Sequence, residues 1–261
     1  MSETNSPTTF STPAAREAEQ MSTPQTLSNI FFEPARTFEA LRERPRFLVA
    51  TLITALLVVA FTFVMFQRVS YEAMIRESIE TNSRTADMSA EQKEQMIEMQ
   101  TKPVVKAIGY VAPLVFIFII LAAGAGIYLL GAMLMGKGMS YRQALSVWAY
   151  STFPPTLLLM LANIIMLLVA PPDPAEAAQN RGSLIHANLS LLVNGTERPV
   201  LATLLGSFDV FIFFGLFLAA TGLHKVARLS KGAAWGIVIA IWVLGVILKL
   251  AFATFSGSPI A

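Results

Sequence analysis

Residues 207–252 read SFDVFIFFGLFLAATGLHKVARLSKGAAWGIVIAIWVLGVILKLAF. Two apolar runs, Phe208–Gly222 and Ala233–Phe252, flank the segment LHKVARLSKG, which carries Lys225, Arg228 and Lys231 and no acid. Runs of this length with so few charges read as membrane spans. Lys and Arg concentrate in short cytoplasmic loops, so the basic turn between them is assigned to the cytoplasmic side.

Working outward, the same pattern recurs three more times. Of the 261 residues, 54% are hydrophobic and 14% charged; soluble domains carry about 25% charged residues. That much apolar surface calls for a bilayer rather than one water-soluble core. The spans are expected at about 47–66, 107–135, 144–170, 203–223 and 233–253. The expected fold is therefore all-α: a polytopic membrane protein with a five-helix transmembrane bundle over residues 47–261 and a helical extramembrane loop.

The flanking segments differ in kind. Residues 1–26, rich in Ser, Thr, Pro and Glu, are expected to be a disordered polar tail. No apolar core of a signal peptide occurs in residues 1–29, so the first span is expected both to target the protein and to stay in it. Residues 27–46, LSNIFFEPARTFEALRERPR, place Phe38 and Leu41 on one side after Pro34, among alternating Arg and Glu. They read as an amphipathic segment on the cytoplasmic leaflet, or as a charged flank that orients the first span.

Between the first two spans, Val69, Met74, Ile75 and Ile79 recur at helical spacing, and Ser89 with Gln92 has the form of a capping box. A helical hairpin is expected there. Its Met74, Met88, Met96 and Met99 lack accompanying His or Cys, so they point to packing rather than to a soft metal. In the 171–202 loop, Leu184–Val193 is too short to span and reads as interfacial or packed. Asn188-Leu-Ser190 and Asn194-Gly-Thr196 match glycosylation acceptors, a common chance pattern. With five spans, the short connections and the N-terminus are cytoplasmic and the C-terminus is outside.

Three polar residues fall inside the expected spans: Asn163, Asp209 and Lys249. Each lies roughly 6–11 Å from the outer end of its helix, at 1.5 Å per residue. An intramembrane ionisable group costs about 2.5–3.5 kcal/mol to insert and seeks a partner or water. An Asp209–Lys249 ion pair with Asn163 nearby is therefore expected, as a structural pair or as the lining of a solute, proton or lipid-headgroup path, the remaining alternative being that Lys249 snorkels outward to the interface. Pro154 and Pro155 remove two amide donors from the third span; they are a candidate helix kink, with Ser151 and Thr152 placed to help. Gly232, Gly236 and Ala240 form a candidate helix-packing row, usable within the chain or by a second copy.

The chemistry that is missing narrows the function. There is no cysteine, HExxH, Gly-x-Ser-x-Gly elbow or phosphate-binding glycine motif. His186 and His224, the two histidines, lie in loops expected on opposite sides of the membrane. No catalytic, cofactor-binding or metal site is expected, and a net charge of +2 with no basic–aromatic patch argues against nucleic acid.

Three boxes occur in order: NIFFEPARTFEALRERPRFLVATLI (Asn29–Ile53), SYRQALSVWAYSTFPP (Ser140–Pro155) and FDVFIFFGLFLAATGLHKVARLSKGAAW (Phe208–Trp235). They resemble, respectively, the Pro-x-x-Thr-Phe opening, the third-span segment and the penultimate span with its Ser-Lys/Arg-Gly-x-Ala turn of the Yip domain family. The resemblance implies a polytopic membrane protein of the Yip-one type without catalytic residues, whose eukaryotic relatives associate with Rab-type GTPases. The Asp-Leu-Tyr-Gly-Pro sequence of that branch is absent here, so the likeness is to bacterial-type members in the cytoplasmic membrane. The leading expectation is a non-enzymatic membrane adaptor or organiser. It would work through contact with a membrane or peripheral protein, with homo-oligomerisation possible and the lipid bilayer as its medium. The alternative is transport or scrambling of a small solute or lipid through the buried polar cluster.

Overall fold

The computed structural model describes residues 21–82, 85–179, 184–185, 187–195 and 197–259. Most of the expected polar tail, His186, and Thr196 of the second acceptor sequence lie outside the described residues. Among the described residues every regular element is helical, and the sole β-type pairing is an isolated bridge between Asn188 and Asp209.

Among the described residues, four helices are long and apolar enough to cross a bilayer: α3 (Leu48–Arg68), α6 (Pro103–Leu134), α7 (Tyr141–Val169) and α11 (Lys231–Ser256). They match four of the expected spans to within a few residues at most ends. The span expected at 203–223 is divided. A short helix, α9 (Pro199–Gly206), is followed by a break at residues 207–209 and then by α10 (Val210–Val226). At 17 residues, α10 is about 26 Å long, short of the roughly 30 Å hydrocarbon thickness. The physical reason is Asp209, whose extended backbone (φ −110°, ψ 138°) and side-chain bonds to the next amides make it a cap. A cap starts a helix; it does not sit inside one.

The bundle is built around α7, against which α3, α6 and α10 all pack. Its buried residues include Val147, Tyr150, Phe153, Pro154 and Pro155. Small residues set the closest approaches. A Cβ at Gly124 of α6 would lie 2.3 Å from the Trp148 ring, so the indole lies directly on the α6 backbone. By contrast α11 rests on α10 and α9, touches α6 lightly, and leaves a broad apolar face uncovered.

The segment before the first span folds into two helices, α1 (Thr23–Phe32) and α2 (Pro34–Glu43). Ser22 and Gln25 form a capping box, so helix begins at Thr23 rather than after a tail ending at 26. Pro34 occupies the first helical position of α2, where its missing N–H costs nothing. The apolar face of this pair does not lie free for a leaflet. Ile30, Phe38 and Leu41 are buried in the main core with α7 and α10.

At the other end of the bundle, α4 (Tyr71–Thr81) and α5 (Ala90–Thr101) form the expected hairpin. The Ser89–Gln92 capping box forms, and Arg76 grips Glu94 through two bonds of 2.8 and 3.1 Å. Met74 packs on a small cluster of Met65, Val69, Leu167 and Ala177, the last from α8 (Pro174–Gln179).

Candidate functional site

Two groups of polar contacts lie at the two ends of the bundle. At the loop end, Asn163 of α7 is fully buried. Its Nδ2 donates to Leu159 O at 2.8 Å, and its Oδ1 accepts from the backbone N–H groups of Leu184 (2.7 Å) and Ile185 (3.2 Å). A chain segment that returns over the bundle thus satisfies two amides on one buried side chain, as buried backbone donors require.

Asp209 does the matching work on α10. Its Oδ1 accepts from Phe211 N (2.8 Å) and Ile212 N (3.4 Å), and its Oδ2 accepts from Asn188 Nδ2 at 3.1 Å. Val210 N donates to Ala187 O at 3.2 Å beside it. Asn188 itself caps a 3-10 turn, Leu189–Leu192, through its bond from Ser190 N (3.0 Å). Lys249 of α11 is half-buried within electrostatic reach of Asp209, but the two make no ion pair. The expected Asp209–Lys249 pair is thus replaced by a cap. The carboxylate is occupied by two amides and an asparagine, and Asn163 and Asp209 serve the same loop rather than each other.

The residue missed by sequence reasoning is Asn188, which is read there only as a glycosylation acceptor. Its side chain is held by Asp209 and Ser190. An Asx turn followed by Ser, within a stretch too short to span, is the signal that could have found it.

Midway along α7, Pro154 and Pro155 sit inside an unbroken helix. Ser151 Oγ donates to Trp148 O (3.0 Å), and Thr152 Oγ1 to Trp148 O (3.0 Å) and Ala149 O (3.3 Å). They therefore do not serve Tyr150 and Ser151, whose carbonyls the prolines leave without helical donors. Gly215 of α10 faces that gap: a Cβ there would be 3.6 Å from Ser151 O and 3.7 Å from Pro155 Cγ. The row Gly232, Gly236 and Ala240 is turned outward on α11, and a Cβ on either glycine would meet nothing within 4 Å.

At the opposite end, α2 is joined to the first turn of α7 and the last turn of α10. Gln143 Oε1 accepts from Ser140 N (2.7 Å) to complete a capping box, while its Nε2 donates to Arg42 O (2.8 Å). Arg42 Nη1 donates to Lys225 O (3.4 Å), and Lys225 Nζ pairs with Glu39 at 2.6 Å. Beneath these, Phe38 fits over Gly222, where a Cβ would be 3.0 Å from Phe38 Cε1 and 2.8 Å from Val147 Cγ1. The turn after α10 is closed by His224 Nδ1, which donates to Leu229 O at 2.6 Å, and Arg228 takes a left-handed conformation (φ 54°). The docked pair keeps a charged outer face, with Glu33, Arg36, Glu39, Glu43 and Arg44 exposed.

The family model for the Yip1 domain matches residues 28–252. That interval begins at the docked helices and runs into the last turns of α11. The chain is also similar to the membrane protein YknW of Bacillus subtilis (strain 168). The two are 26% identical over 231 residues, covering 88% of this chain and 89% of that protein. No solved structure matches the chain.

Proposed function

This chain belongs to the Yip1 domain family of membrane proteins, and from that membership we propose that it is a non-enzymatic membrane adaptor or organiser. The observation that carries the reading is the α1–α2 pair. It is fastened to the bundle through Phe38, Gln143 and Lys225, yet presents charged side chains outward. A rigid, polar, preformed surface on a membrane-embedded core favours protein contact, because little ordering entropy remains to be lost on binding.

In this reading α9 and α10 together make a fifth crossing, interrupted at 207–209 and covered there by the 187–192 segment. Irregular backbone is tolerated at membrane depth when protein buries it. The basic turns at 136–143 and 224–232 and the N-terminus face the cytoplasm, the C-terminus lies outside, and the host membrane is a bacterial cytoplasmic membrane. The rival reading, transport or scrambling past Asn163, Asp209 and Lys249, stands second, since the first two already bond the loop that covers them.

The test is site-specific photo-crosslinking from Glu43 in native membranes. A stoichiometric adduct that is lost in Arg44→Glu and kept in Asp209→Asn supports the adaptor. Absence of any adduct, with flux in proteoliposomes that Asp209→Asn abolishes, supports the rival.

A further inference from the structure

A cavity of about 810 Å³ lies between the α1–α2 corner and the ends of α10 and α11 that meet at the basic turn. We infer that this cavity binds one anionic phospholipid, its phosphate held among Arg36, Lys225 and Lys231 and its acyl chains running along α10 and α11. This goes beyond the adaptor reading and depends on no protein partner.

Charge is the first argument. Arg36, Lys225 and Lys231 line the cavity together with Glu33. Arg36 is paired with Glu33 at 3.1 Å and Lys225 with Glu39 at 2.6 Å. Among the described residues Lys231 forms no ion pair. Lys231 thus brings to the cavity a positive charge that no described carboxylate compensates, the complement of a single phosphodiester. Lys225 and Lys231 also retain N–H donors, which a phosphate can accept.

Position is the second. The charged residues lie at helix ends, where a span leaves the hydrocarbon and headgroups begin. On the same cavity, Phe217 and Trp235 continue the wall along α10 and α11. Phe32, at the α1–α2 corner, is 85% exposed and Trp235 39% exposed, so two aromatic rings stand uncovered beside the cations. An indole so placed favours the headgroup level of a membrane. An aqueous anion would leave Phe32 in water, whereas a lipid covers it. Alongside, Gly232 and Gly236 leave the adjoining face of α11 flat, with room for an acyl chain against the backbone.

The test uses the full-length protein in phosphatidylcholine nanodiscs doped with an equal fraction of either acyl-brominated phosphatidylglycerol or acyl-brominated phosphatidylcholine. Bromine quenches a nearby indole, and the part of the quenching that disappears in Trp235→Phe belongs to the cavity. The expected result is that phosphatidylglycerol quenches Trp235 about fivefold more effectively, the factor that one near-surface Lys typically contributes. Lys231→Gln, and separately Arg36→Gln, should bring the two lipids toward equality. Lys137→Gln, a charge removed from the other basic turn, should leave the preference intact. Equal quenching in the native protein overturns the inference. So does an equal loss in Lys137→Gln, which would mean diffuse attraction, or relief by millimolar inorganic phosphate or a soluble acidic peptide, which would assign the cavity to an aqueous ligand.

Discussion

Asn188 donates its side-chain amide to Asp209 at 3.1 Å, and the same carboxylate caps α10 through its other oxygen. One aspartate thus begins a helix and holds a loop over its end. Asp209→Ala should lose the cap, at about 1–2 kcal/mol, and free the 187–192 segment. Asp209→Asn keeps a capping oxygen and should lose much less. Exchanging the charges, Asp209→Lys with Lys249→Asp, should not restore stability, because lysine cannot accept the three N–H bonds. Unfolding midpoints in SDS for the four proteins give the ranking.

Asn163 offers a separate handle on the same loop. Asn163→Leu fills similar space but strands the Leu184 and Ile185 amides that its oxygen now accepts. The expected penalty is about 1–3 kcal/mol for unsatisfied buried donors. Hydrogen exchange at those two amides should accelerate in the variant while the amides of α3 remain protected.

The docking of α2 is tested by steric means. Gly222→Ala places a methyl 2.8 Å from Val147 Cγ1 and 3.0 Å from Phe38 Cε1. Overpacking of this kind costs about 1–3 kcal/mol. Gly126→Ala meets nothing within 4 Å, so it should be neutral or gain up to about 1 kcal/mol from helix propensity. Limited proteolysis between α2 and α3 should speed up only in the first.

Apolar and ionic holds on α2 should separate cleanly. Phe38 is fully buried, whereas Lys225 and Glu39 are 30% and 47% exposed. Phe38→Ala should therefore cost about 3–5 kcal/mol and Glu39→Ala less than about 1 kcal/mol. The Glu39 effect should fade in high salt and the Phe38 effect should not.

In the hairpin, the bond from Arg76 holds the Glu94 carboxyl below its ordinary value, with the guanidinium charge adding to it. A depressed folded-state pKa means that the pair's contribution is complete above the unfolded value and is lost as pH falls through the folded one. Hairpin protection in hydrogen exchange should therefore be flat near neutrality and decline below about pH 4. Glu94→Gln should remove the decline. Both groups are exposed, so the global midpoint should hardly move.

Much of this molecule is legible in its sequence. The four long spans follow from runs of apolar residues that no soluble core could absorb, and the Ser89–Gln92 box announces α5. The divided span was not legible, because an acid among Phe and Val residues reads as an intramembrane charge until its backbone is known to be extended. The partner of Asp209 was hidden for a related reason. Asn188 lies 21 positions away in a stretch whose own pattern is weak, and only the return of the chain over α7 and α10 brings it there. The α1–α2 pair has the amphipathic pattern that sequence reading saw, but periodicity gives the apolar face and not what covers it. A bilayer and the groove between α7 and α10 satisfy the same residues.

That last ambiguity has a history within each molecule's synthesis. Arg42 meets Lys225 across 183 positions of chain, which at 5–20 residues per second separates their emergence by roughly 10–40 s. Through that interval Phe38 lacks Gly222 of α10, its seat in the finished bundle. The clasp of α2 on the bundle can therefore close only after nearly the whole membrane domain has been made.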